Sequence, residues 1–115
     1  MSEIRMIAVF PQIAEQDLAE FKKQAAEAVT EARDAAGTIA YDFFLSDDQT
    51  RCLVQETYSD SDAVFAHLGN ARERIGRLAE LGGGLEVQVL GELSPELRQA
   101  LEPRAQAIYG RLVSK

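Results

Sequence analysis

Three features of this 115-residue sequence predict an α+β fold in which helices pack on one antiparallel sheet: four short strand-like runs, two longer stretches with helical spacing between them, and a polar hairpin segment. Ile4, Met6, Ala8 and Phe10 alternate with Arg5, Ile7 and Val9, so the first strand, Ile4 to Phe10, is apolar on both sides and needs cover on both. Pro11 stops it. From about Ala14 to Ala36 the positions Leu18, Phe21, Ala25, Ala28, Val29 and Ala32 recur at three- and four-residue steps, leaving Glu15, Glu20, Lys22, Lys23, Glu27 and Glu31 for water. Gly37 suits the left-handed residue that closes such a helix. The second and third strands, Thr38 to Leu45 and Arg51 to Tyr58, flank Ser46-Asp47-Asp48-Gln49-Thr50, whose short polar side chains favour a turn, so the pair is expected to be antiparallel.

Ser59 or Asp60 then offers a side-chain oxygen to cap a second helix whose apolar stripe is Val64, Phe65 and Leu68. The helical pattern continues or restarts through Ala71 to Leu81, with Ile75, Leu78 and Leu81 inward and Arg72, Glu73, Arg74 and Arg77 on a solvated face. Gly82-Gly83-Gly84 ends it, and Leu85 to Leu90 forms a fourth strand with one mostly polar face. The order β-α-β-β-α-β is the ferredoxin-like pattern, two helices on one face of a four-stranded antiparallel sheet. The chain reads as one domain, with a core over residues 1–92 and a C-terminal extension over 93–115. In the extension Ser94-Pro95-Glu96-Leu97 opens a short helix, with Leu97, Ala100 and Leu101 as its apolar side, and Ala105 to Val113 is of ambiguous type.

The segment from Arg51 to Leu68 carries the most chemistry, because a strand runs directly into the helix that holds the single histidine. Its Glu-x-aromatic-x-Asp run followed by a histidine, here Glu56, Tyr58, Asp60 and His67, resembles the antibiotic-biosynthesis-monooxygenase superfamily. That resemblance implies a homodimer in which two sheets close into a dimeric α/β barrel with a pocket in each half, and a C-terminal extension used as an arm against the partner. Apolar residues on both faces of the strands, Ile7, Val9, Phe43 and Phe44 among them, suit such a dimer, the rival being that the chain's own C-terminal segment covers the second face. The implied activity is cofactor-independent monooxygenation of a quinol, phenol or polycyclic aromatic, with the substrate supplying the electrons to O₂. Haem-degrading relatives pair an asparagine on the first strand with a tryptophan and a helix histidine, whereas this chain has no tryptophan and no asparagine in its first strand.

The candidate catalytic residues are His67, as general base, and Glu56, which would assist it; each also has a plainer reading as a hydrogen-bonded structural histidine and a rim charge paired with Arg5 or Arg51. Tyr41, Phe43, Tyr58 and Asn70 are the candidate substrate-binding residues, the aromatic ones able to line a pocket for a flat ligand or simply to fill the core. Two rival functions share the same pocket: an isomerase using the histidine and glutamate for proton transfer, and a non-catalytic ligand-binding dimer.

Composition narrows the field further. A net charge of −7 and a pI near 4.7 argue against a nucleic-acid partner. No apolar run approaches the roughly 20 residues of a membrane span, and the N-terminus lacks a signal-peptide layout, so no membrane association and a cytoplasmic location are expected. One histidine and one cysteine offer poor means to hold zinc or iron, and the glycine run lacks the spacing and lysine of a phosphate-binding loop, so neither metal nor cofactor is expected. Cys52 reads as a small core residue.

Overall fold

The computed structural model describes residues 3–115. β1 (Ile4–Phe10), α1 (Leu18–Ala32), β2 (Thr38–Leu45), β3 (Cys52–Tyr58), α2 (Ser61–Asn70), α3 (Arg72–Leu81) and β4 (Glu86–Leu90) follow in the expected order, then α4 (Pro95–Leu101) and β5 (Ala107–Tyr109). The sheet runs β2-β3-β1-β4-β5 and stays open. β1 lies between β3 and β4 and is antiparallel to both, as β2 is to β3. The segment that was ambiguous from sequence becomes β5 because the outer edge of β4 offers free backbone groups. It adds in parallel, and Gln106 donates its N–H to Val87 at 2.7 Å while Gly91 donates to Tyr109 at 2.8 Å.

The inward rows of the strands pack under the helices. Ala8, Phe10, Val54, Phe21, Leu78 and Leu81 form one part of the core, in which Phe10 and Phe21 meet edge to face at 5.3 Å. Ile4, Met6, Tyr58, Val64 and Val89 form the other with Leu97 and Leu101 of α4. The hairpin between β2 and β3 closes as its residues suggest: Asp48 accepts from Ser46, from the Thr50 hydroxyl and from the Thr50 N–H, while Gln49 takes a left-handed φ of 61°. Asp60 is the residue that caps α2, accepting from the Ala63 N–H at 2.9 Å, and Ser94 caps α4 through the Leu97 N–H at 3.1 Å.

Three sequence expectations need correction, and one rival reading falls away. The first helix is shorter than expected, a turn of 3-10 helix at Glu15–Asp17 leading into α1, which stops at Ala32. Gly37 is not in the left-handed region; it is required because β2 starts against α2, where a Cβ would lie 2.5 Å from that of Ala63. Arg74 is not part of a solvated face. It clamps α3 to α1 through a forked contact with Glu31 (2.6 and 3.2 Å) and through Gln24 and Glu27. Finally, the C-terminal helix does not cover the second sheet face, since Leu97 and Leu101 join the core on the helix side.

That second face therefore remains uncovered by the described residues. Phe44, Leu53 and Val9 lie side by side across β2, β3 and β1, with Ile7 two residues along, and Phe44 and Leu53 are 52% and 38% exposed. Phe43, by contrast, sits on the helix side, its ring 5.2 Å from that of Tyr41. No helix among the described residues is long and apolar enough to cross a membrane.

Candidate active site

Strand alternation puts Cys52, Val54, Glu56 and Tyr58 in one inward row of β3, and Glu56 is the one charged residue in it. Its register partners are Met6 on β1 and Tyr41 on β2, so it sits mid-sheet beneath the helices. The Asp60 cap fixes where α2 begins, and the helical step from Val64 then turns His67 inward. Glu56 and His67 are the buried polar residues of the described chain, at 8% and 6% exposure, so the histidine is more deeply enclosed than its place in the sequence suggests.

The two meet at one atom. Tyr58 donates its hydroxyl to Glu56 Oε1 in a short hydrogen bond, and His67 Nε2 stands 3.9 Å from the same oxygen, beyond hydrogen-bond length but within reach of a small side-chain movement. Tyr41 packs edge-on to the imidazole at 4.8 Å and the Tyr58 ring lies 5.3 Å away on a tilt. Burial raises the Glu56 carboxyl from an ordinary 4.5 to about 7, the Tyr58 hydrogen bond opposing the rise. Burial also lowers the His67 imidazole below its ordinary value and, with the nearby Glu56 charge, raises both Tyr41 and Tyr58. The tyrosines thus stay protonated, His67 is neutral at neutral pH, and Glu56 is poised to gain or lose a proton there.

An interior cavity of about 60 Å³ opens beside this cluster, lined by Tyr41, Phe43 and Glu56 together with apolar residues of the sheet and of α2 and α3. Glu56 is the single charged group on its wall. His67 lies behind Glu56 instead, facing a small recess of about 40 Å³ between α1 and α2, whose other wall residues include Glu31 and Asn70. The structure therefore gathers His67, Glu56, Tyr41 and Tyr58 into one cluster and adds Phe43 through the cavity. Asn70 stands apart, exposed on the recess side. Sequence reasoning did not single out Leu68, Ile75 and Leu85 as cavity wall, although Leu68 and Ile75 belong to the apolar stripes it identified. No three His, Cys, Asp or Glu side chains among the described residues are grouped closely enough to hold a metal ion.

Residues 4–74 match the family model described as antibiotic biosynthesis monooxygenase. No curated protein matches the chain. Among solved structures, MupZ from Pseudomonas fluorescens superposes with a TM-score of 0.75 at 21% identity, over 99% of this chain and 92% of MupZ. Rv0793 from Mycobacterium tuberculosis gives 0.70 at 22% identity over 80% of this chain and 96% of its own. A variant of SnoaB from Streptomyces nogalater, described as a cofactor-independent oxygenase, gives 0.65 at 17% identity, over 76% of this chain and 89% of SnoaB.

Proposed function

The chain belongs to the antibiotic biosynthesis monooxygenase family, and from that premise we propose that it is a cofactor-independent monooxygenase of an electron-rich phenol, quinol or polycyclic aromatic, with Glu56 as the base that starts the reaction. The observation that carries this reading is a carboxyl poised near pH 7 as the one charged group on an apolar cavity wall. SnoaB, a structural neighbour described as a cofactor-independent oxygenase, supports it.

In this mechanism the Glu56 carboxylate takes the proton of the substrate hydroxyl. The phenolate passes one electron to O₂, and the resulting radical pair recombines at a ring carbon that bears hydrogen. Glu56 returns its proton to the peroxide so formed. Loss of the ring hydrogen as a proton and cleavage of the O–O bond then release water and leave a quinone, so that one phenol and one O₂ give one quinone and one water. The apolar wall keeps bulk water from the radical pair. His67, 3.9 Å behind the carboxylate, is a neutral imidazole that can relay the proton between Glu56 and the outer recess. The sequence reading made His67 the base; in the proposal the two exchange places because Glu56 faces the cavity and His67 does not.

The same proposal makes the protein a homodimer through its open sheet face. Supporting it is the apolar row Phe44, Leu53 and Val9, left uncovered by the described chain, where water would otherwise meet a contiguous apolar strip. The deciding experiment is oxygen uptake with a naphthalene-diol or quinol substrate, set beside the Glu56→Gln variant. General-base removal is expected to slow uptake by about 10²–10⁴-fold. Uptake that is absent from the native protein across a panel of such substrates, or unchanged in the variant, would overturn the proposal.

A further inference from the structure

At about 60 Å³ the interior cavity has room for roughly two waters and not for an aromatic ring beside Glu56. A larger space lies just outside it. Between the α2–α3 arm and α4 runs a groove of about 610 Å³, and three apolar side chains, Leu68, Ile75 and Leu85, line both spaces.

Two further features of the groove are unexplained by the packing of the chain itself. Gly69 and Gly76 lie along it within α2 and α3, where glycine is the least favourable residue after proline, yet a Cβ at either position would meet nothing within 4 Å. No close approach in the chain requires them, and what they keep is open space. Arg72 and Arg104 also line the groove, and among the described residues neither takes part in an ion pair, in a chain whose net charge is −7. By contrast, Arg74 on the same helix is fully engaged by Glu31, Glu27 and Gln24.

We infer that this groove is the entry site for the ligand of the interior cavity, and that the ligand is a flat aromatic molecule carrying a carboxylate. The carboxylate is held between Arg72 and Arg104, the ring lies over the space left by Gly69 and Gly76 beside Phe65, and it reaches Glu56 when Leu68, Ile75 and Leu85 part. Charge complementarity selects the anion, since two uncommitted guanidiniums flank an otherwise apolar trough. The inference rests on reading the cavity as the ligand site and not on the oxidation proposed there.

The test is binding under argon to the full chain, by calorimetry and amide chemical-shift mapping, with 1-hydroxy-2-naphthoate and its neutral counterpart 1-naphthol as probes. The naphthoate is expected to bind about tenfold or more tightly, with shifts clustered on Gly69, Arg72, Gly76 and Arg104. The double variant Arg72→Gln/Arg104→Gln should lower naphthoate affinity to that of naphthol and leave naphthol unchanged. Gly76→Leu, which fills the groove and favours the helix, should weaken both probes, whereas Arg77→Gln should weaken neither. Equal affinity for the two probes, absence of binding, indifference to the paired arginines, or shifts centred on the open sheet face would each overturn the inference, as would a second copy of the chain found seated in the groove. Should Gly76→Leu not fold, the arginine variants decide alone. Naphthoate binding without oxygen uptake would overturn the reaction and leave the entry site standing; oxygen uptake with no preference for the anion would do the reverse.

Discussion

Replacing Glu56 with glutamine should make the protein more stable at pH 8 while removing most of its activity. The carboxyl is 8% exposed, and burial raises it from 4.5 to about 7. A carboxyl whose folded value lies above its unfolded one favours folding fully below pH 4.5. The advantage is lost as the pH climbs from 4.5 to 7, because the unfolded chain releases the proton first. Above pH 7 the folded protein carries the whole cost of a buried charge, and the distance between 4.5 and about 7 corresponds to roughly 3 kcal/mol. Glutamine has the same shape, keeps an oxygen for the Tyr58 hydroxyl, and never ionises. His67 acts in the opposite sense, because its value is lowered by burial: folded stability falls as the pH drops through 6.5, and this contribution is common to both proteins. The measurement is thermal unfolding of both proteins at equal concentration from pH 5 to pH 8. Their stabilities should lie close together at pH 5 and separate in favour of the variant at pH 8, by on the order of 10 °C for a domain of this size. Parallel pH profiles would refute the reasoning, since they would mean that Glu56 ionises in the folded state as readily as in the unfolded one.

Three other outcomes are expected. His67→Ala removes a ring packed between Tyr41 and Tyr58, so it should cost about 1–3 kcal/mol in chemical denaturation and also slow proton-coupled turnover; wild-type turnover in a folded variant would remove His67 from the mechanism. Leu53→Asp, at the centre of the Phe44, Leu53 and Val9 row, should halve the mass seen in sedimentation without loss of helical circular dichroism, and a native chain that sediments as a monomer at micromolar concentration would refute the dimer. Gly37→Ala brings a Cβ to 2.5 Å from that of Ala63 and should destabilise the chain by about 1–3 kcal/mol in urea unfolding, whereas a neutral effect would show that β2 and α2 can separate freely there.

The element order and the antiparallel pairing of β2 with β3 were legible from sequence because both depend on local periodicity and turn chemistry. Alternation over Ile4–Phe10, the β-rich run that ends at Tyr58, three- and four-residue steps over Leu18–Ala32, and the Asp48-centred turn each leave a pattern a few residues long. The pairing of Glu56 with His67 was legible in part, since a strand leading straight into a capped helix brings the two close. Which of them faces the cavity was not, because that depends on the rotation of α2 against the sheet. Burial is likewise a property of the assembled core: a glutamate on a strand reads as a surface charge until helices close over it, and only then does its carboxyl rise to about 7. Arg74 and Gly37 illustrate the same limit, as their partners on α1 and α2 lie far away in the chain and no local pattern announces them. The sequence by itself determined the fold, since hydrophobic period and turn chemistry act over neighbours. The tertiary structure alone decided which ionisable group meets the cavity, which face of the sheet stays open and where a groove runs beside it, because each follows from contacts between residues that only folding brings together.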